Sequence, residues 1–142
     1  MVKTGRPRGA GSQAAIFTAA AHEFARHGYD AAGVDRIAAK ARLNKAMLYY
    51  HYGSKQGLYV EVLRDIFRVV GARARAIADG PGAPEDKLDA WILTIVEEAA
   101  ARPWFPPIML RELASGAAHI DADTFGMMHA VYAAVRVVIV AG

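Results

Sequence analysis

Six donor side chains are crowded into one short stretch of this 142-residue chain: Lys45, Tyr49, Tyr50, His51, Tyr52 and Lys55. Ammonium, phenol and imidazole groups all donate well to phosphate oxygen. Lys45 also suits guanine O6 and N7, and its neighbours Ala46 and Met47 suit the methyl group of thymine. Ser54 and Lys55 open a helix, and the free amides at a helix N-terminus favour an anion. Asp35 and Arg36 lie just upstream, Arg36 as a further phosphate donor. Asp35 would be repelled by phosphate unless it accepts from a cytosine amine. Aromatic core packing does not account for all of residues 49–52, because four consecutive large side chains cannot all face inward on one helix turn.

Other constellations carry less. His119 and His129 lie near Asp121 and Asp123, but no histidine pair has the i, i+4 spacing of a helical metal site, so no metal and no cofactor is expected. Glu97-Glu98 and Asp121 with Asp123 are paired carboxylates that a helix surface or a cap explains. No glycine-rich loop follows a strand, and nothing pairs a nucleophile with a base, so the chain is not expected to be an enzyme. The absence of cysteine removes disulfides and thiolate sites.

The charge is unevenly spread. Residues 1–55 hold nine cations against Glu23, Asp30 and Asp35, an excess of six, and the remainder carries an excess of three acids. A basic front on an acidic body is the footprint of a polyanion binder. No signal peptide opens the chain, and the most apolar run, Ala130 to Ala141, is short and carries Arg136, so a cytoplasmic protein without a membrane partner is expected.

The elements that must position these residues are all helical. Residues 1–11 read as a flexible basic arm, with Arg6-Pro7-Arg8 suited to a minor groove, and Ser12 as the cap of the next element. Ile16, Ala20, Ala21 and Phe24 form the apolar stripe of a helix over 13–27, ended by Gly28. Val34, Ile37, Ala38 and Ala41 define a two-turn helix over 34–40. Asn44 caps a second over 45–51 with Leu48 inward, and Ser54 caps a long helix over 55–79 whose stripe Arg73 interrupts. Gly80-Pro81-Gly82-Ala83-Pro84 is a stop. Further helices are expected over 85–100, with Leu88, Trp91, Ile92, Ile95 and Val96 inward, over 107–114, and from 123 to the end. No segment alternates with period two, so the fold class is all-α: a three-helix bundle with a helix-turn-helix, followed by a helical ligand-binding and dimerisation bundle.

Two motifs resemble the TetR family of regulators: Ala20, Phe24, Gly28-Tyr29, Val34 and Ile37-Ala38, then Leu43 to Lys55 with Leu58. The resemblance covers residues 13–63. It implies a DNA-binding transcriptional regulator, commonly a repressor released from a palindromic operator by a small-molecule effector. Tyr49, His51 and Lys55 fall on the family's phosphate-gripping positions, and Lys45, Ala46, Met47 and Tyr50 on its base-facing ones. Arg36 sits where the first short helix meets the backbone. Gly33 replaces the usual Ser or Thr cap, Arg42 the common turn glycine, and Tyr52 the usual Phe.

The resemblance also implies an organisation: arm 1–11, DNA-binding domain 12–53, and a partial regulatory domain 54–142. In the last, Trp91, Trp104, Phe105, Met109, Phe125, Met128, His129 and Tyr132 are candidates for an apolar effector pocket. The family dimerises through helices that follow the seventh. With its last helix stopping inside the apolar run 135–141, this chain is expected to be truncated and a poor dimer. The alternative reading is a helical ligand-binding or interaction module without operator specificity.

Overall fold

The computed structural model describes residues 8–142, and among these the secondary structure is seven helices: α1 (Arg8–Ala31), α2 (Val34–Ala41), α3 (Lys45–Tyr52), α4 (Lys55–Asp79), α5 (Pro84–Ala101), α6 (Phe105–Ala114) and α7 (Ala122–Ala141). The ends of the short helices follow local chemistry. Asn44 accepts from the Met47 amide at 3.0 Å, and Ser54 Oγ accepts from the Gly57 amide at 2.9 Å, as their capping types require. Gly28, with φ of 76°, breaks the helical path of α1 where the stripe ends.

Most helices run one or a few residues beyond the expected bounds, α1 to Ala31 and α6 from Phe105, and two departures, at the start of α1 and at the turn after α2, bear on the head. Residues 8–12 belong to α1, so the arm does not extend to residue 11 and Ser12 is not its cap. Once a helix is nucleated, each added residue gains a hydrogen bond for little further cost, which favours such an extension. Arg6 and Pro7 of the expected arm lie outside the described residues. Arg42 takes the left-handed conformation itself, with φ of 56°, and closes α2 through its amide and that of Leu43. The turn tolerates the strain rather than avoiding positive φ.

The core runs through both halves of the chain. Ile16, Ala20 and Phe24 of α1, Ile37 of α2, Leu48 of α3 and Leu58, Val62, Leu63 and Ile66 of α4 form one buried cluster with Ile108 of α6. α4 is the shared strut, and the start at Lys55 marks a helix cap within continuous packing. Arg73 does not interrupt α4, because it reaches outward to Glu97 at 2.5 Å and Glu98 at 3.0 Å on α5.

That pairing overturns the expected inward face of α5. Thr94 and Glu98 are buried, while Leu88, Ile92, Ile95 and Val96 are exposed. Arg73 of α4 pairs with Glu98, and Arg102 at the end of α5 pairs with Glu98 and with Asp65 of α4. The helix is turned so that its apolar side faces out, and of the expected inward set Trp91 is half-buried. α7 packs along α4, with Val138 buried and Val131 against the core. It starts at Ala122, and its mean hydropathy of 1.6 and its length would suit a membrane span by composition alone, which the shorter apolar run in the sequence did not suggest.

A buried polar knot ties α6 to the first half. Glu112, 1% exposed, accepts from the Tyr59 hydroxyl at 2.6 Å and the His119 amide at 2.8 Å, with His119 Nδ1 at 3.1 Å. Burial, then the bond to Glu112, pushes the Tyr59 phenol far above its ordinary value.

Candidate nucleic-acid interface

α2 and α3 form the helix-turn-helix. Leu48 is wholly buried against Ile37 and the α1 stripe, which turns the opposite side of α3 to solvent. Tyr50 is 81% exposed and Tyr49 45% exposed, and Lys45 and Ala46 are also exposed. Met47 departs from the expected base-facing row. It is half-buried and packs against the core, because its position brings it back over the helix junction.

The cations of this face are held by neighbours that sequence reasoning did not find. Lys45 Nζ lies 2.9 Å from Asp35 Oδ1, a bridge from the first turn of α3 to the first turn of α2, and this bond raises the lysine pKa. Arg36 turns back along α2. Its Nε donates to Glu23 at 2.6 Å and its Nη2 to the Ala31 carbonyl at 2.6 Å. Lys55 donates to the Asp30 carbonyl at 3.2 Å, with its ammonium 4.6 Å from the centre of the Tyr29 ring. In this arrangement Arg36 and Lys55 brace α1 as well as facing solvent.

Glu23 organises the α1–α2 corner. It is 3% exposed and also accepts at 3.1 Å from the amide of Gly33, the N-cap residue of α2, whose first-turn amides have no side-chain cap of the kind a Ser or Thr at position 33 would give. Burial works to raise its pKa, but the bonds from Gly33 and Arg36 outweigh it and hold the carboxyl below its usual value. Glu23 was legible only as one acid among cations, since its partners lie ten and thirteen residues away.

His51 is half-buried and its Nε2 is enclosed without a partner, so that nitrogen is not presented to a phosphate here. The Tyr52 hydroxyl donates to the Gln13 carbonyl at 3.1 Å, anchoring α3 to α1. A groove of about 540 Å³ runs beside them, lined in part by Gln13, His51, Tyr52, Ser54 and Arg64.

The eight candidate effector residues do not converge on one cavity. Trp91, Trp104, Phe105, Met109 and Met128 pack against the main core, Phe105 with its ring 6.3 Å from Phe67. Phe125, His129 and Tyr132 stand exposed on α7. Trp104 borders a groove of about 340 Å³ with His22, Arg26 and Lys40.

A buried three-helix head with a presented α3, mounted on a long strut helix, defines an all-helical helix-turn-helix protein. Residues 16–62 match the family described as bacterial regulatory proteins, tetR family. An HTH-type transcriptional repressor of Streptomyces coelicolor is 38% identical over 92 residues, which are 65% of this chain and 44% of that protein. The HTH-type transcriptional activator FasR of Mycolicibacterium smegmatis is 45% identical over 49 residues, 34% of this chain and 22% of that one. The TetR-family regulator PfmR of Thermus thermophilus shares the fold, with a TM-score of 0.74 at 22% identity over 89% of this chain and 69% of that one. Over its first part the chain is thus similar to TetR-family regulators, and it spans less than half the length of the curated relatives it matches.

Proposed function

We propose that this chain is the DNA-reading part of a transcriptional regulator, with α3 entering the major groove of a double-stranded operator. The carrying observation is the division of α3, with Leu48 wholly buried and Tyr50 81% exposed. An eight-residue helix so presented is built to be read against, as the second helix of a helix-turn-helix is. Residues 12–53 supply the reading head and 54–142 the regulatory body. Tyr49 grips a phosphate directly, Lys55 and Arg36 do so on leaving their present partners, and His51 does so once its enclosed Nε2 is uncovered. Lys45, Ala46 and Tyr50 face bases, and Met47 supports them from the edge of the core.

The regulator acts in the cytoplasm as a repressor, released from a palindromic site by a small molecule bound in the body, and the full-length protein binds as a homodimer. The name of the Streptomyces coelicolor relative supports repression, while that of FasR is an activator's.

Selection of bound sequences from a random DNA pool tests the reading. Wild-type chain should recover a defined half-site. Lys55→Ala should weaken binding on all sequences alike and lower the log–log salt slope by ~0.9, as expected for one lost phosphate contact. A chain that recovers no preferred sequence would overturn operator reading and favour the interaction-module alternative.

A further inference from the structure

The Lys45–Asp35 pair is the least explained feature of the presented face. Both side chains are open to solvent, 50% and 82% exposed, and an ion pair so placed contributes little to stability. An acid at the front of a helix that faces phosphate is also electrostatically unfavourable. The pair nevertheless joins the first turn of α3 to the first turn of α2, while Arg36 and Lys55 are turned towards Glu23, Ala31, Asp30 and Tyr29.

The spacing matches one base-pair edge. In a Watson–Crick G·C pair the guanine O6 accepts from the cytosine N4, so an acceptor and a donor lie about 2.9 Å apart at the major-groove edge. Lys45 Nζ and Asp35 Oδ1 present a donor and an acceptor at the same 2.9 Å. Laid edge to edge, the four groups close a ring of hydrogen bonds. N4 donates to O6 and to Asp35, and Nζ donates to Asp35 and to O6. Every donor in the ring meets an acceptor.

A T·A pair offers the same donor and acceptor, but its neighbours are wrong. Beside thymine O4 stands the C5 methyl, where guanine has the additional acceptor N7 for the ammonium. Beside the adenine amine stands N7, whose lone pair opposes a carboxylate, where cytosine has only a C–H. The opposite orientation, C·G, would put the ammonium on an amine and the carboxylate on a carbonyl.

We propose that Asp35 and Lys45 act as one specificity-determining unit that reads a single G·C pair in each half-site, Lys45 on guanine and Asp35 on cytosine. This rests on the major-groove placement of α3. Asp35 is thereby part of the reading surface rather than a neutraliser of Lys45.

Selected-sequence profiles of wild type, Asp35→Ala, Asp35→Asn, Lys45→Ala and the Asp35/Lys45 double alanine variant decide between these roles. The unit predicts that wild type prefers G·C at one position by about tenfold or more. Both alanine variants should relax that position alone, and the double variant should lose no more than either single one. Asp35→Asn, which sets an amide against the cytosine, should relax the same position. A pure neutraliser would behave otherwise: Asp35→Ala would leave every base preference intact, bind all sequences more tightly, and steepen the salt slope by ~0.9 as Lys45 reaches a phosphate. That result, or relaxation of two different positions by the two alanine variants, would overturn the proposal while leaving DNA reading intact. Failure of the wild type to select any sequence would overturn both.

Discussion

Helices α2 and α3, two turns each, hold Ile37 and Leu48 at 0% exposure, whereas the eighteen-residue α5 leaves Ile92, Leu93 and Val96 more than half exposed. Length and apolar content do not explain the contrast, since α5 has more of both. In the head, Ile37 and Ala38 of α2 and Leu48 of α3 are buried against residues of α1 and α4. α5 packs mainly on α4 and α7, with its buried Glu98 paired to Arg73 of α4 and to its own C-cap residue Arg102. Apolar burial orients the head, and ion pairing orients this part of the body.

The largest expected effect tests the first half of that comparison. Phe24→Ala empties a site that is 0% exposed, in ring contact with Tyr59 at 4.9 Å, and should cost about 3–5 kcal/mol in denaturant unfolding. A loss below about 1 kcal/mol would mean that the head is not held by its core.

Glu23→Gln probes the ion pair that the buried Glu23 makes with Arg36 in the head. The amide keeps an acceptor for Gly33 but loses the charged bond to the half-exposed Arg36, so about 1–2 kcal/mol should be lost at neutral pH. The folded carboxyl titrates below 4.5, the value it returns to on unfolding, so its stabilisation is complete above that pH and disappears as pH falls through the lowered folded value. The gap between wild type and variant should therefore close in acid, read from melts between about pH 3 and 7. A gap independent of pH would show that Glu23 acts by shape.

The smallest effect tests the body. Ile92→Ala on the open side of α5, 54% exposed, should change stability by no more than about 0.5 kcal/mol. A loss of about 2 kcal/mol or more would place this side in a packed interface in solution.

Much of the head was legible because its signals are local. Asn44 and Ser54 cap the helices they precede, and Gly28 ends the stripe begun by Ile16. Leu48 is the one residue of α3 that is buried, as expected from its spacing. What stayed hidden depends on partners far along the chain. Glu23 finds Gly33 and Arg36, Lys55 finds Tyr29, and Glu112 finds Tyr59 across fifty-three residues. α5 was misread for a different reason. Leu88, Trp91, Ile92, Ile95 and Val96 do share one side of the helix, but only its edge at Trp91 meets the core, beside the buried Thr94 and Glu98. Of the residues expected to lie outside the α2–α3 core, Lys45, Ala46, Tyr49 and Tyr50 are exposed, whereas Met47 is half-buried against the core, as a long flexible side chain at the edge of a short helix can be.

The vacancy at Gly33 has a consequence for how mutations in this chain combine. A Cβ there would stand 3.0 Å from the Arg36 guanidinium carbon, so any larger residue makes that group give by a few tenths of an ångström. A serine at position 33 would offer α2 its own cap and at the same time press on the arginine that pairs with Glu23. Fold stability and surface charge thus share one genetic switch. The cost of changing Glu23 or Arg36 will differ between a glycine and a serine background, and substitution scans made one position at a time will miss the dependence.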